Sequence, residues 1–245
     1  MIRSKQIVSN FSTENMKNSI FNKISKLRQR VRNVEYRYGR KPGSVQLIAI
    51  SKAQNLESIK SAIAAGQRIF GESYVQEALE KIRSLQDSSL EWHFVGRMQT
   101  NKTKVIANNF SWVHSLADIK LASKLNEYRK KANLTPLNIC IQVNLQKELS
   151  KEGIYLEHLI SLAKKINKFS HLHLRGLMAI PKPENKFSIQ RKNFKELHSM
   201  LGKLQALGLQ LDTLSMGMSE DFEAAIAEGA TLIRIGTAIF GKRDR

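Results

Sequence analysis

The apolar positions of the chain follow two patterns that alternate along its length. From Ile20 to Val34, apolar residues recur at spacings of four and three, with lysines and arginines between them. Such spacing predicts an amphipathic helix, because residues three or four apart share one helical face. Short apolar runs typical of strands then alternate with further amphipathic segments. The predicted strands lie at 45–51, 68–72, 91–96, 111–116, 137–144, 173–180, 212–216 and 231–236.

Strands that alternate with helices predict an α/β fold with a parallel sheet and right-handed crossovers. Eight such units in 245 residues match a single (β/α)8 TIM-type barrel, here with an extra N-terminal helix. A doubly wound open sheet is the alternative, but no G-x-G-x-x-G follows the first predicted strand. We predict one barrel domain over residues 16–245 and a disordered extension over residues 1–15.

The net charge is the unusual feature of an otherwise ordinary composition. The chain carries 40 Lys and Arg against 21 Asp and Glu, a formal charge of +19. This excess raises the hypothesis of a basic nucleic-acid-binding module. The basic residues are spread over most amphipathic segments, however, which favours compositional drift and no specific nucleic-acid partner. One cysteine and no long apolar run predict a cytoplasmic protein without disulfides or a membrane span.

In a barrel of this type, functional groups lie at the carboxyl ends of the strands. These junctions therefore give the candidate site residues directly. They are Lys52, Gly71 to Ser73, His93 to Gly96, Asn144, Met178, Ser215 to Ser219, Gly236 and Thr237.

The last two junctions predict a phosphate site, since loops after the seventh and eighth strands often bind phosphate in this fold. Gly217 and Gly236 would let backbone amides approach an anion, and Ser215, Ser219 and Thr237 supply hydroxyl donors. The alternative is purely structural. In that interpretation Ser219 caps a helix that begins at Glu220, and the glycines only turn the chain.

Lys52 follows the apolar run LIAI at the mouth of the predicted barrel. A partly desolvated lysine there would have a lowered pKa and could form a Schiff base, although a solvated surface lysine is the common alternative. A lysine beside a phosphate site points to pyridoxal phosphate (PLP), with a sugar-phosphate aldolase as the second choice.

Arg234 bears on the choice between a PLP protein and a sugar-phosphate aldolase. Alternation places it on one face of the eighth strand with Leu232 and Gly236. If that face points inward, the guanidinium could meet a pyridine nitrogen or form an ion pair with Glu72.

Three histidines are weaker candidates for functional residues. His93 lies inside the third predicted strand, where a hydrogen-bonded core histidine is the ordinary interpretation. His171 and His173 precede the sixth strand, at the wrong end of the barrel, and are interpreted as non-functional.

Several motifs occur in a fixed order over nearly the whole folded chain. They are AISK (49–52), FGESYVQE (70–77), WHFVG (92–96), QTNK (99–102), RGLMAIP (175–181), LSMGMSEDFEAAI (214–226) and RIGTAIFG (234–241). With these motifs the chain resembles the pyridoxal phosphate homeostasis proteins, which are related to the barrel domain of alanine racemase.

The resemblance implies a set of cofactor contacts. PLP would be held as a Schiff base on Lys52, its phosphate by Ser215 and the Gly236–Thr237 turn, and its pyridine side by Arg234. The sequence departs from the family at Ser73, where asparagine is usual, and at Gln54, where a second lysine is common. We therefore expect a changed contact at Ser73 and no second lysine near the site.

The resemblance also implies a function. We expect a monomer that acts in intracellular vitamin B6 homeostasis without efficient catalysis, with PLP-dependent apoenzymes as partners. The alternatives are a PLP-dependent amino-acid racemase or lyase, and the nucleic-acid-binding module.

Overall fold

The computed structural model describes residues 19–148 and 151–241, which form a closed barrel of parallel strands. The predicted extension over residues 1–15 and the predicted domain start at 16 lie outside the described residues. The strands are β1 (Gln46–Ile50), β2 (Ile69–Glu72), β3 (Glu91–Phe94), β4 (Trp112–Leu116), β5 (Leu137–Val143), β6 (Leu172–Ala179), β7 (Thr213–Ser215) and β8 (Leu232–Ile235).

The barrel closes where β1 pairs with β8, with Gln46 opposite Leu232 and Ile48 opposite Arg234. Each strand is otherwise hydrogen-bonded to its neighbours in sequence order. The predicted (β/α)8 barrel is therefore confirmed, and the open doubly wound sheet is wrong for this chain.

Helices lie between the strands, one precedes them and one follows them. They are α1 (Ile20–Arg37), α2 (Leu56–Ala64), α3 (Val75–Leu85), α4 (Thr103–Asn109), α5 (Ile119–Lys131), α6 (Leu156–Ile166), α7 (Phe187–Ala206), α8 (Phe222–Ala227) and α9 (Thr237–Phe240), with a 3-10 turn at Thr100–Lys102. The predicted N-terminal helix is confirmed. Ser19 caps it by accepting a hydrogen bond from the Asn22 amide at 3.3 Å. No helix in the described ranges is long and apolar enough to cross a membrane.

The core has two layers because successive strand residues point to opposite sides of the wall. The larger layer lies between the barrel and its helices and includes Ile233 and Ile235 of β8. The inner layer fills the barrel and consists of Ile48, Trp112, Cys140, Met178 and Leu232. Leu232 faces inward, so Arg234, two residues further along β8, faces inward as well.

Candidate cofactor-binding site

Two adjoining cavities open at the carboxyl ends of the strands. Their volumes are about 660 Å³ and about 270 Å³. Lys52, Ser73, Val95 and Ile180 line both cavities. The smaller cavity is completed by Ile50, Met218, Ser219, Glu220, Arg234, Gly236 and Thr237. The lysine, the phosphate-type loops and the arginine predicted from sequence are thus brought to one mouth of the barrel.

The backbone on both sides of Lys52 is held by charged side chains. The Ser51 carbonyl accepts a hydrogen bond from Lys81 Nζ at 2.6 Å, and the Ala53 amide donates to Glu77 Oε1 at 2.6 Å. Ala53 has a φ of +58°, in the left-handed region that alanine rarely adopts. Lys52 itself is half-buried at the cavity wall. A fixed backbone on both sides gives Lys52 a defined approach to the cavities.

Glu72 belongs to this support and not to the barrel interior. It accepts hydrogen bonds from Lys81 Nζ at 2.8 Å and from Ser51 Oγ at 2.6 Å, in the layer between the wall and α3. Burial raises the pKa of the Glu72 carboxyl, while the charge of Lys81 acts in the opposite direction. The alternative in which Glu72 pairs with Arg234 is therefore wrong, since the two side chains lie on opposite sides of the wall.

The smaller cavity offers donors suited to a phosphate. The chain leaves β8 at Ile235, and Gly236 and Thr237 form the turn into α9. A Cβ on residue 236 would lie 3.3 Å from the Ile50 carbonyl oxygen, so the close approach of the two strands favours glycine there. Ser219 also lines this cavity. It does not cap the next helix, which begins at Phe222, so the capping alternative for Ser219 is wrong.

Arg234 lies at the floor of the smaller cavity. It donates from Nη1 to Ser215 Oγ at 2.6 Å and from Nη2 to the Ala179 carbonyl at 2.9 Å. Burial lowers the pKa of Arg234 to about 10, with the carboxylate of Asp221 opposing the shift. At neutral pH it remains a cation, so any ring nitrogen above it would meet a donor and a positive charge.

Ser215 and Met178, both predicted as cofactor contacts, line neither cavity. Ser215 is fully buried beneath Arg234, and its hydroxyl is shared between Arg234 and His114. Met178 packs inside the barrel with Cys140 and Trp112. Both side chains point into the interior below the rim, so the structure places them beneath the site.

The larger cavity contains residues that sequence reasoning missed. Lys102 and Lys151 line it together with Lys52, so the expectation of no second lysine near the site is wrong. The buried side chain of Gln142 also lines it. Lys102 stands in the motif QTNK after the third strand and could have been found from its position. Lys151 lies eight residues after the end of β5, and its place along the chain carries no signal for this contact.

The comparisons with known proteins agree with this geometry. The family model described as "Alanine racemase, N-terminal domain" matches residues 23–244. The chain belongs to this family. A relative from Pseudomonas aeruginosa, named pyridoxal phosphate homeostasis protein, is 49% identical over 226 residues, which cover 92% of this chain and 96% of the relative.

Solved structures show the same barrel. PipY of Synechococcus elongatus, in a structure with PLP bound, is 36% identical with a TM-score of 0.80, covering 91% of this chain and 100% of PipY. Alanine racemase of Corynebacterium glutamicum is 15% identical with a TM-score of 0.66, and the match covers 88% of this chain but 60% of the racemase. The likeness to the racemase is one of fold.

Proposed function

We propose that the chain binds pyridoxal 5'-phosphate at the carboxyl-terminal mouth of the barrel and acts in PLP homeostasis. The observation that carries the proposal is the position of Lys52. It lines both cavities, beside the Gly236–Thr237 turn and above the buried cation of Arg234. An amine, an anion site and a ring-facing donor in one place match the three chemical parts of this cofactor.

Each of these residues has a distinct task. Bound PLP supplies an aldehyde that forms a Schiff base with a primary amine. Lys52 provides that amine. Gly236, Thr237 and Ser219 hold the phosphate through backbone and hydroxyl donors, and Arg234 donates toward the pyridine nitrogen. Ser73 borders both cavities and takes the position of the asparagine usual in the family.

The similarity to a relative named pyridoxal phosphate homeostasis protein, which covers 92% of this chain, supports a carrier role without efficient turnover. The partners in this proposal are PLP and PLP-dependent apoenzymes, and the protein acts as a cytoplasmic monomer. The second candidate, a racemase or lyase, is favoured only by the shared fold with alanine racemase.

The decisive experiment is a titration of the purified chain with PLP, followed by borohydride reduction and peptide mapping. We expect a visible absorption band on addition of PLP and a pyridoxyl label on Lys52 after reduction. Lys52→Ala should lose both while its melting temperature stays within a few degrees of the wild type, since a half-buried side chain at a rim contributes little packing.

The matched control is Lys102→Ala, which removes another lysine from the same cavity. This variant should keep the band and the label on Lys52. A main label on Lys102 or Lys151 would refute the assignment of Lys52, and the absence of any band would refute PLP binding.

A further inference from the structure

A buried row of polar side chains crosses the barrel interior below Arg234. Ser215 Oγ lies 2.7 Å from His114 Nδ1, and His114 Nε2 lies 2.8 Å from His93 Nδ1. His93 Nε2 lies 2.6 Å from Glu91 Oε1. Ser215, His114 and His93 are 0% exposed, whereas Glu91 begins β3 at the opposite mouth and is partly exposed. The row therefore connects the floor of the cofactor cavity with the far end of the barrel.

When both imidazoles are neutral, the Glu91 end of the row fixes the direction of every hydrogen bond in it. A guanidinium can only donate, and an ionised carboxylate can only accept. With Glu91 as acceptor, His93 carries its proton on Nε2 and accepts at Nδ1. His114 then donates from its own Nε2 and accepts at Nδ1. The Ser215 hydroxyl donates to that Nδ1 and accepts from Arg234 Nη1.

The opposite direction would place two acceptors against each other. If His93 carried its proton on Nδ1, its Nε2 lone pair would face Glu91 Oε1 at 2.6 Å. The hydrogen bond from His93 lowers the pKa of the Glu91 carboxyl, so this group stays ionised at neutral pH. Among arrangements in which both imidazoles are neutral, one thus satisfies all four contacts.

The surroundings keep the histidines neutral. Burial lowers the pKa of His93, although the Glu91 carboxylate acts in the opposite direction. Burial lowers the pKa of His114 further, and the charge of Arg234 adds to that shift. Among the described residues, the other ionisable groups that bear on the row are the buried Cys140 thiol, Asp221 beside Arg234, and Arg175 near Glu91. Arg175 is itself paired with Asp212.

We propose that His114 and His93 are positioning residues for Arg234. Through the Ser215 hydroxyl they present a fixed acceptor to Nη1, while the Ala179 carbonyl fixes Nη2. The guanidinium is then held in one orientation beneath the cofactor ring. This inference rests on the proposed PLP site for its functional meaning, but the arrangement of protons is a property of the ligand-free protein.

The first test is nitrogen NMR of the imidazole rings in the ligand-free, full-length chain. Both rings should show the neutral form with the proton on Nε2 between about pH 7 and 8.5, because burial lowers their pKa values. Assignment comes from loss of the corresponding signals in His93→Phe and His114→Phe. An Nδ1–H form, or a charged ring in this range, would overturn the proposal whether or not PLP binds.

The second test breaks the row far from the cofactor. Glu91→Leu removes the terminal acceptor, and Glu91→Gln keeps one. In Glu91→Leu and His93→Phe the donor and acceptor roles along the row are no longer fixed. We expect a shift of the PLP absorption band and about tenfold weaker PLP binding, since a hydrogen bond to a charged group is lost or misdirected.

Glu91→Gln should behave as the wild type in band position and affinity. Glu196→Leu, an exposed change of the same charge on α7, should also leave both unaltered. An unchanged band and affinity in a folded Glu91→Leu would refute the positioning role, even if His93→Phe failed to fold. Failure of the wild-type chain to bind PLP would refute the proposed function and leave the NMR result to decide the direction of the row.

Discussion

At the scale of single residues, charge is buried where it supports Lys52. Lys81 is 4% exposed and meets Glu72, Glu77 and the Ser51 carbonyl. Glu72 is fully buried, and its Oε2 has no hydrogen-bond partner in the described part of the chain. The cluster therefore depends on the single ammonium of Lys81, which faces two carboxylates.

Lys81→Met should destabilise the protein by about 3–5 kcal/mol, because removal of one partner leaves buried charge uncompensated. The measurement is the free energy of unfolding from urea denaturation. Lys60→Met serves as the control. It breaks an exposed pair with Glu57 at 3.0 Å and should change the unfolding free energy by less than about 1 kcal/mol. Equal effects of the two substitutions would contradict the structural role of the buried cluster.

At the scale of elements, the alternation of short apolar runs and amphipathic segments was enough to predict all eight strands and their order. Period-two alternation along β8 also placed Arg234 on one face with Leu232, and the structure shows that this face points inward. Alternation does not say how deep an inward residue lies, because the stagger of the strands sets the level of the rim. Ser215 was therefore predicted at the phosphate, although it lies below Arg234.

Two glycines, one in a strand and one in a helix, differ in how closely other atoms approach them. Gly176 in β6 lies so close to β7 that a Cβ would stand 1.8 Å from the Thr213 carbonyl oxygen. Gly202 in α7 has nothing within 4 Å of the same added atom. The first glycine is required by the close approach of two backbones, whereas the second only adds flexibility to a helix.

Gly176→Ala should therefore destabilise the barrel by about 3 kcal/mol or more, through forced separation of β6 and β7. Gly202→Ala should stabilise it by about 0.5–1 kcal/mol through helix propensity. Urea denaturation of both variants checks the opposite signs. A Gly176→Ala variant as stable as the wild type would show that the two strands are not packed this closely.

At the scale of the whole molecule, part of the +19 charge has a structural use. Three arginines donate to backbone carbonyls at the carboxyl ends of helices. Arg28 contacts the end of α2, Arg40 the end of α8, and Arg129 the end of α4. Cations are favourable at these positions because they complement the helix dipole and the unpaired carbonyls. The N–H groups of these three arginines thus form hydrogen bonds within the protein itself.

Binding to duplex DNA should accordingly be weak, independent of sequence and largely lost at about 0.15 M salt, where surface charges are screened. Fluorescence anisotropy with two unrelated duplexes over a salt series measures this. Tight binding that prefers one sequence at this salt concentration would make nucleic-acid recognition a function of the chain.

Efficient racemisation depends on the whole molecule, because it needs an acid or base on each face of the cofactor. Lys52 supplies one group. Tyr74 is the one tyrosine among the described residues that line the two cavities, and it is 58% exposed, so it is poorly fixed for proton transfer.

The charge next to the pyridine ring of PLP also disfavours racemisation. A permanent cation at Arg234 disfavours a protonated pyridine nitrogen and so weakens the ring as an electron sink. We therefore expect a kcat/KM for alanine and serine far below about 10⁴ M⁻¹s⁻¹, the lower end of the usual enzyme range. Chiral chromatography of reactions with the PLP-loaded chain measures it, with Lys52→Ala and free PLP as controls. A value within the enzyme range that disappears in Lys52→Ala would replace the carrier proposal with a racemase.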